Sequence, residues 1–248
     1  VAVALGAPAA VATGGADGAQ KARSSGEPSS RRAAGMEARS GDRGGLEESF
    51  PWTGEQFYFS LRVNGSEAMR ASLKVGGFRL TRNDRPYVPV GLSVHSFGFF
   101  DNVYPVDDRA DTFLDPRSTR PYRSHKYFRE SGKVQTYVVA YNHDEFRAQV
   151  QRTKPDQVQR FHNAIPPTTH DMISWMYDLR RREMRRGAEF RYYVYDGWKL
   201  SNVHLKVVGK EELYTPAGWF KAWKFEFVRK IVASKANSDA RVVRKTYG

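Results

Sequence analysis

The chain contains no cysteine, so disulfides, thiol nucleophiles and thiolate metal sites are all excluded. It has no apolar run approaching the roughly 18 residues of a membrane-spanning helix. Its six histidines (His95, His125, His143, His162, His170, His204) show no metal-ligand spacing such as H-E-x-x-H. A glycine-rich phosphate loop and a dinucleotide fingerprint are also missing, so neither metal nor cofactor is expected. Gly91-Leu92-Ser93-Val94-His95 lacks the second glycine of a nucleophile elbow and reads as strand. Residues 1–50 have almost no aromatics and are rich in Ala, Gly, Ser and charge. Such a composition cannot bury enough apolar surface to offset its ordering entropy, so a disordered tail is expected there.

The 248 residues carry a formal net charge of +13. The tail does not supply it, because six Lys/Arg and six Asp/Glu balance within residues 1–50. The excess lies on residues 51–248, read as a single β-rich domain, and points either to anionic partners or simply to a solvated basic face. Val1 to Leu5, followed by Gly6 to Ala12, resembles the end of a signal-peptide core with an A-x-A site at Ala10-Val11-Ala12. The basic segment that should precede it is missing, so either the sequence starts inside a precursor or this stretch is an Ala-rich linker. The expected localisation is accordingly the periplasm or cell envelope.

Period-2 alternation dominates the rest. Phe57, Phe59, Leu61 and Val63 share one strand face, and Asn64-Gly65 follows as a hairpin turn. Met69, Ala71, Leu73 and Val75 alternate in the return strand. Val88, Val90, Leu92 and Val94 form another strand, which Pro89 is expected to confine to an edge or bulge. Residues 97–111, ending in Asp107-Asp108-Arg109-Ala110-Asp111, read as loop. Strands are expected at 123–128 and 134–141 across Glu130-Ser131-Gly132-Lys133, then at 145–151. Further strands fall at 190–195 before Asp196-Gly197, at 203–207, and at 219–228 after the Thr215-Pro216-Ala217-Gly218 turn.

One helix interrupts this pattern, expected over 168–186. Thr168 or Thr169 caps it, Met172, Trp175, Met176 and Leu179 form its apolar stripe, and Gly187 stops it. The expected fold is therefore mainly β: a curved antiparallel sheet or partly open β-barrel with one inserted α-helix. A sheet of this kind must curl or cover its edges.

Several segments, taken in order, resemble the bacterial domain of unknown function 3108 family, DUF3108, of exported envelope proteins. They are Gly54-Glu55-Gln56-Phe57-Tyr58-Phe59, Arg109 to Pro116 with Arg120-Pro121, Asp171 with Tyr177-Asp178-Leu179-Arg180, and Asp196-Gly197-Lys199. Val207 to Glu211 and Tyr214 to Phe220 complete the set. The resemblance implies a further strand pair after Phe227. Ser238-Asp239-Ala240-Arg241 resembles its start, so either the end is divergent or the domain is cut short at its C-terminal end.

Three functional readings are open. The first is a non-enzymatic binding or structural module whose partner is an anionic lipid or glycan. Its candidate ligand-binding residues are Phe57, Phe59, Trp175, Tyr177, Arg180, Glu211 and Trp219. The barrel interior lined by Phe57, Phe59 and Leu61 would hold the apolar part, and Arg180 is expected to pair with Glu211. The alternative is a hydrolase using His170 as base and Asp171 as its orienting carboxylate. Adjacent helical residues point about 100° apart, however, which also suits a capping and packing cluster. The third is nucleic-acid binding by aromatics such as Tyr193, Trp198 and Trp223 beside Lys199, Lys206 and Lys224. Core packing accounts for most of these rings, and an exported protein would not meet nucleic acid.

Overall fold

The computed structural model describes residues 48–234, with Gly45 and a short strand at 246–247. Two sheets make up the described fold. The first follows the chain as a meander: β1 (Gln56–Val63), β2 (Ser66–Val75), β3 (Arg79–Leu80), β4 (Pro86–Ser96), β5 (Asp107–Leu114), β6 (Pro121–Glu130), β7 (Lys133–Asn142), β8 (Arg147–Lys154) and β9 (Gln157–Ala164). Its order is β1-β2-β4-β5-β6-β7-β8-β9, with β3 on β4. Every pairing in it is antiparallel. The second sheet is β10 (Thr169–His170), β11 (Glu189–Tyr195), β12 (Lys199–Thr215), β13 (Gly218–Ser234) and β14 (Thr246–Tyr247). Only the two-residue β10 pairs parallel, against Tyr193 and Val194 of β11. Among the described residues no barrel closes, and the fold is mainly β with antiparallel sheets, as expected.

The hairpin turns sit where the sequence puts them. Asn64 and Gly65 adopt positive φ (49° and 80°), as do Ser131 and Gly132 (46° and 77°). This is the geometry of tight hairpins that follow the strand twist. Asp196 closes its own turn by accepting the Trp198 and Lys199 amides at 2.8 and 2.7 Å.

Several expectations need correction. The Asp-rich stretch 107–111 is strand, not loop. Its inner residues Ala110, Thr112 and Leu114 are buried while Asp107, Arg109 and Asp111 face out. Pro89 lies in β4, an interior strand paired with β2 and β5. It is tolerated because its carbonyl, and the side of its missing donor, face Gly76 just past the end of β2 (Gly76 N to Pro89 O, 2.8 Å). Strand β9 has no apolar alternation, since Val158 and Phe161 fall on opposite faces, and the sequence pattern does not announce it. After Phe227 the chain continues as β13 to Ser234, and β14 pairs back on Phe227 and Val228. The expected site at Ser238–Arg241 and the expected tail up to residue 44 lie outside the described residues. Phe50, assigned to the tail, is completely buried and packs on Trp52 and Tyr177.

The helix is shorter than expected. Two helices lie wholly within the described residues: α1 (Phe99–Val103) and α2 (Ser174–Arg180). Thr169 and His170 belong to β10, and 181–187 is a turn-rich connection rather than helix. The expected stripe is also rotated. Met172 is 41% exposed and Trp175 half-buried, whereas Ser174, Tyr177, Asp178 and Leu179 are buried. The cause is that α2 packs on both sheets. Ile173 and Tyr177 join Leu73, Val75, Val88, Val90 and Leu114 of the first sheet. Leu179 joins Tyr192, Val194, Val203 and Leu205 of the second. A third cluster packs Tyr195 against Tyr137, Val139, Tyr141 and Val150. No described helix is long and apolar enough to cross a membrane.

Candidate functional site

The inner face of the first sheet, the one that receives α2, continues past the helix. The register places Phe57, Phe59 and Leu61 of β1 opposite Leu73, Ala71 and Met69 of β2. These in turn lie opposite Leu92, Val94 and Ser96 of β4. Paired residues share a face, so one apolar surface runs across three strands. Near the helix it is covered: Leu73 is buried, and Phe57 and Leu92 pack on the core. Further along, the cover ends. Met69, Ala71 and Val94 are half-buried, while Phe59 and Leu61 are 44% and 48% exposed. The Phe57 and Phe59 rings lie 6.3 Å apart at 23°. In place of the expected interior cavity there is an open apolar face at the β1 edge.

The expected hydrolytic pair sits in a buried polar cluster. Asp171 accepts the Ile173 and Ser174 amides at 3.0 and 2.8 Å and the Thr112 hydroxyl at 2.5 Å. Ser174 Oγ accepts the Asp171 amide at 2.9 Å and lies 3.2 Å from His170 Nδ1. Asp171 therefore braces the turn that leads into α2 through an Asx turn, and the N-cap position falls to Ile173 instead of the expected threonines. Ser174, Asp171 and His170 are 0%, 2% and 4% exposed, so a serine, a histidine and an aspartate meet inside the core. Burial pushes the His170 pKa down to about 4, against the opposing pull of Asp178 and Asp171. The imidazole is neutral at pH 7 and packs edge-on against Tyr192 at 5.5 Å. Asp178 completes the cluster by accepting Tyr192 Oη (2.9 Å), Thr119 Oγ1 (3.3 Å) and Arg182 (2.7 and 2.9 Å).

The candidate ligand residues do not form one site. Phe57 and Phe59 lie together on the open face. Tyr177 is 2% exposed in the core, and Trp175 packs against Tyr192 and Phe227. Arg180 does not pair with Glu211. It binds Glu55, just before β1, while Glu211 pairs with Lys224 at 3.2 Å. Strand β12 carries Glu211 outward along a hairpin, away from the helix that holds Arg180. Trp219 lies at the hairpin's end, 71% exposed. Met69, Ala71, Leu92 and Val94 were not singled out as binding residues. Their alternation was visible in the sequence, and the Asn64-Gly65 turn sets the register that aligns them with β1.

One buried cation stands apart. Lys126 projects from β6 into the interior, donates to the Asp196 carbonyl and approaches Met172 Sδ at 4.0 Å. Burial lowers its pKa, opposed by the charges of Asp196 and Asp171. A polar recess of 320 Å³ on the molecule's surface is lined by Arg85, Asp115, Ser118, Arg120, Asn142 and His143, among others. Its Arg85 is already engaged by Asp115 at 3.6 Å, and His143 Nε2 donates to the Pro121 carbonyl at 2.8 Å. Among the described residues, no three metal-ligating side chains gather.

No curated protein and no solved structure matches the chain. A family model described as "Protein of unknown function (DUF3108)" matches residues 58–244, from the first strand of the open face to the β13–β14 connection. The chain belongs to the DUF3108 family.

Proposed function

We propose that this protein is a non-enzymatic binding module of the cell envelope that holds an amphiphile, with the ligand's apolar part on the uncovered inner face of β1, β2 and β4. The observation that carries this is the exposure of Phe59 and Leu61, at 44% and 48%, on the face that elsewhere forms the core. A contiguous apolar surface left open on the inner side of a sheet marks a binding site. The net charge of +13 favours an anionic head group, a lipid or lipid-linked glycan. The reading of export rests on the Ala-rich stretch at residues 1–12, which resembles the end of a signal peptide.

The hydrolase reading finds less support. Catalysis needs a reachable nucleophile, and Ser174, beside His170, is fully buried. Nucleic-acid binding needs exposed rings in series, yet Tyr193, Trp198 and Trp223 are at most about one-third exposed.

Native mass spectrometry of protein purified from its own envelope tests the proposal by showing whether a lipid travels with it. A fluorescent lysophosphatidylglycerol should bind, and Phe59→Asp with Leu61→Asp should abolish binding at unchanged stability. Absence of both a co-purifying lipid and probe binding would overturn the reading.

A further inference from the structure

The β12–β13 hairpin carries a second surface, independent of the open inner face. Strand β11 pairs with β12 only as far as Lys206, so from Gly209 to Lys224 the two strands pair only with each other among the described residues. This arm is about 23 Å long at 3.3 Å per residue. Around its turn, Leu213-Tyr214-Thr215-Pro216-Ala217-Gly218-Trp219-Phe220 contains no charged residue. Tyr214 lies opposite Trp219 on one face of the ribbon, and Leu213 opposite Phe220 on the other. Tyr214 and Trp219 are each 71% exposed, with their rings 5.2 Å apart.

The tip is thus apolar on both faces. A partner protein that docks on one side would leave the other side polar. A tip apolar all round fits a medium that surrounds it. Its turn is also closed on itself: the Ala217 amide donates to Thr215 Oγ1 (3.2 Å), whose hydroxyl donates to the Gly218 carbonyl (3.1 Å). Pro216 brings no N–H, so few backbone groups need water. At the root of the tip stand Lys210, Lys221 and Lys224, balanced in part by Glu211 and Glu212. Lys210 lies over the Trp223 ring at 4.7 Å and Lys224 pairs with Glu211 at 3.2 Å. Exposed Tyr and Trp beside long lysine stems match the head-group layer of a bilayer, where rings sit at the interface and ammonium groups reach phosphates.

We propose that the tip of the β12–β13 hairpin inserts into the interface of a lipid bilayer. Tyr214 and Trp219 sit at head-group depth, Leu213 and Phe220 add apolar contact, and Lys210 and Lys221 meet the phosphates. The root charges nearly cancel, so the association rests on apolar burial and survives added salt.

Flotation of the full chain with phosphatidylcholine vesicles, and with vesicles containing phosphatidylglycerol, tests this. Wild-type protein should float with both. Tyr214→Ser with Trp219→Ser should lower partitioning by about tenfold or more, with Tm unchanged because both side chains are exposed. Trp219→Phe should keep partitioning while reducing quenching of tryptophan emission by brominated lipids. The double-serine variant should still bind the soluble lysophosphatidylglycerol probe, which separates this proposal from binding on the inner face. The proposal is overturned if wild-type protein does not float or if the double-serine variant floats equally well. It is also overturned if sedimentation shows a dimer whose Trp219 is shielded without lipid.

Discussion

Arg180 and Glu55, 125 residues apart, are joined by two hydrogen bonds of 2.6 and 2.7 Å. Their side chains are only 10% and 8% exposed, and the guanidinium also lies over the Trp52 and Tyr177 rings. The pair fastens the end of α2 to the start of β1. Removing one member strands a largely buried charge, which costs about 3–5 kcal/mol. Glu55→Leu and Arg180→Met should each lower unfolding free energy by that amount in urea titrations, and the double variant by much less than their sum. Additive losses would mean the two side chains do not act as a unit.

His170 sets an acid limit on stability. Its folded pKa of about 4 lies below the unfolded value near 6.5. The folded state therefore disfavours the proton. Its contribution is complete above about pH 6.5 and is lost as pH falls through 4, a change on the order of 3 kcal/mol. His125 and His143 are shifted in the same direction by burial. Unfolding measured from pH 7 to 4 should show a falling slope, and His170→Gln should flatten it. An unchanged slope in the variant would place the acid sensitivity elsewhere.

Asp171 and Ser174 should behave as groups that brace the turn leading into α2. Asp171→Ala strands the Ile173 and Ser174 amides, at about 1–3 kcal/mol for each buried donor left unpaired. Ser174→Ala frees the Asp171 amide and should cost about as much as one such donor. Neither change should alter amphiphile binding measured on folded protein. A variant that folded normally and lost a hydrolytic activity of the wild type would restore the catalytic reading.

Phe50→Ala should cost about 3–5 kcal/mol, because the ring is wholly buried against Tyr177 and Trp52. Thermal unfolding reads this directly. A shift of Tm within the error of the wild-type value would show that the domain begins after this residue.

Strand positions were legible where two signals agreed. Asn64-Gly65 and Asp196-Gly197 stand between alternating runs, and turn chemistry and period give the same answer there. Strand β5 was hidden because its outer row is Asp107, Arg109 and Asp111, so charge masked a period of two. The helix was over-long because Thr168 and Thr169 are sound caps locally, whereas pairing of Thr169 and His170 with β11 takes those residues into a sheet. A long-range contact outweighed a local preference. The partner of Arg180 was not readable for the same reason: spacing says nothing about which of many carboxylates, Glu55 or Glu211, lies across the fold. The open face was half legible, since alternation names its residues but not where the helix ceases to cover them.

The next-neighbour order of the first sheet has a consequence for synthesis. From β4 to β9 every strand leans on the strand made just before it, so each hairpin can zip as the chain lengthens. The helix and its arginine arrive only near residue 180. Until then the growing sheet presents its whole inner row, from Phe57 to Val150, without a lid. Such a nascent chain is a natural client for a holding chaperone. Chains halted before α2 should bind one, and chains extended through β12 should be released.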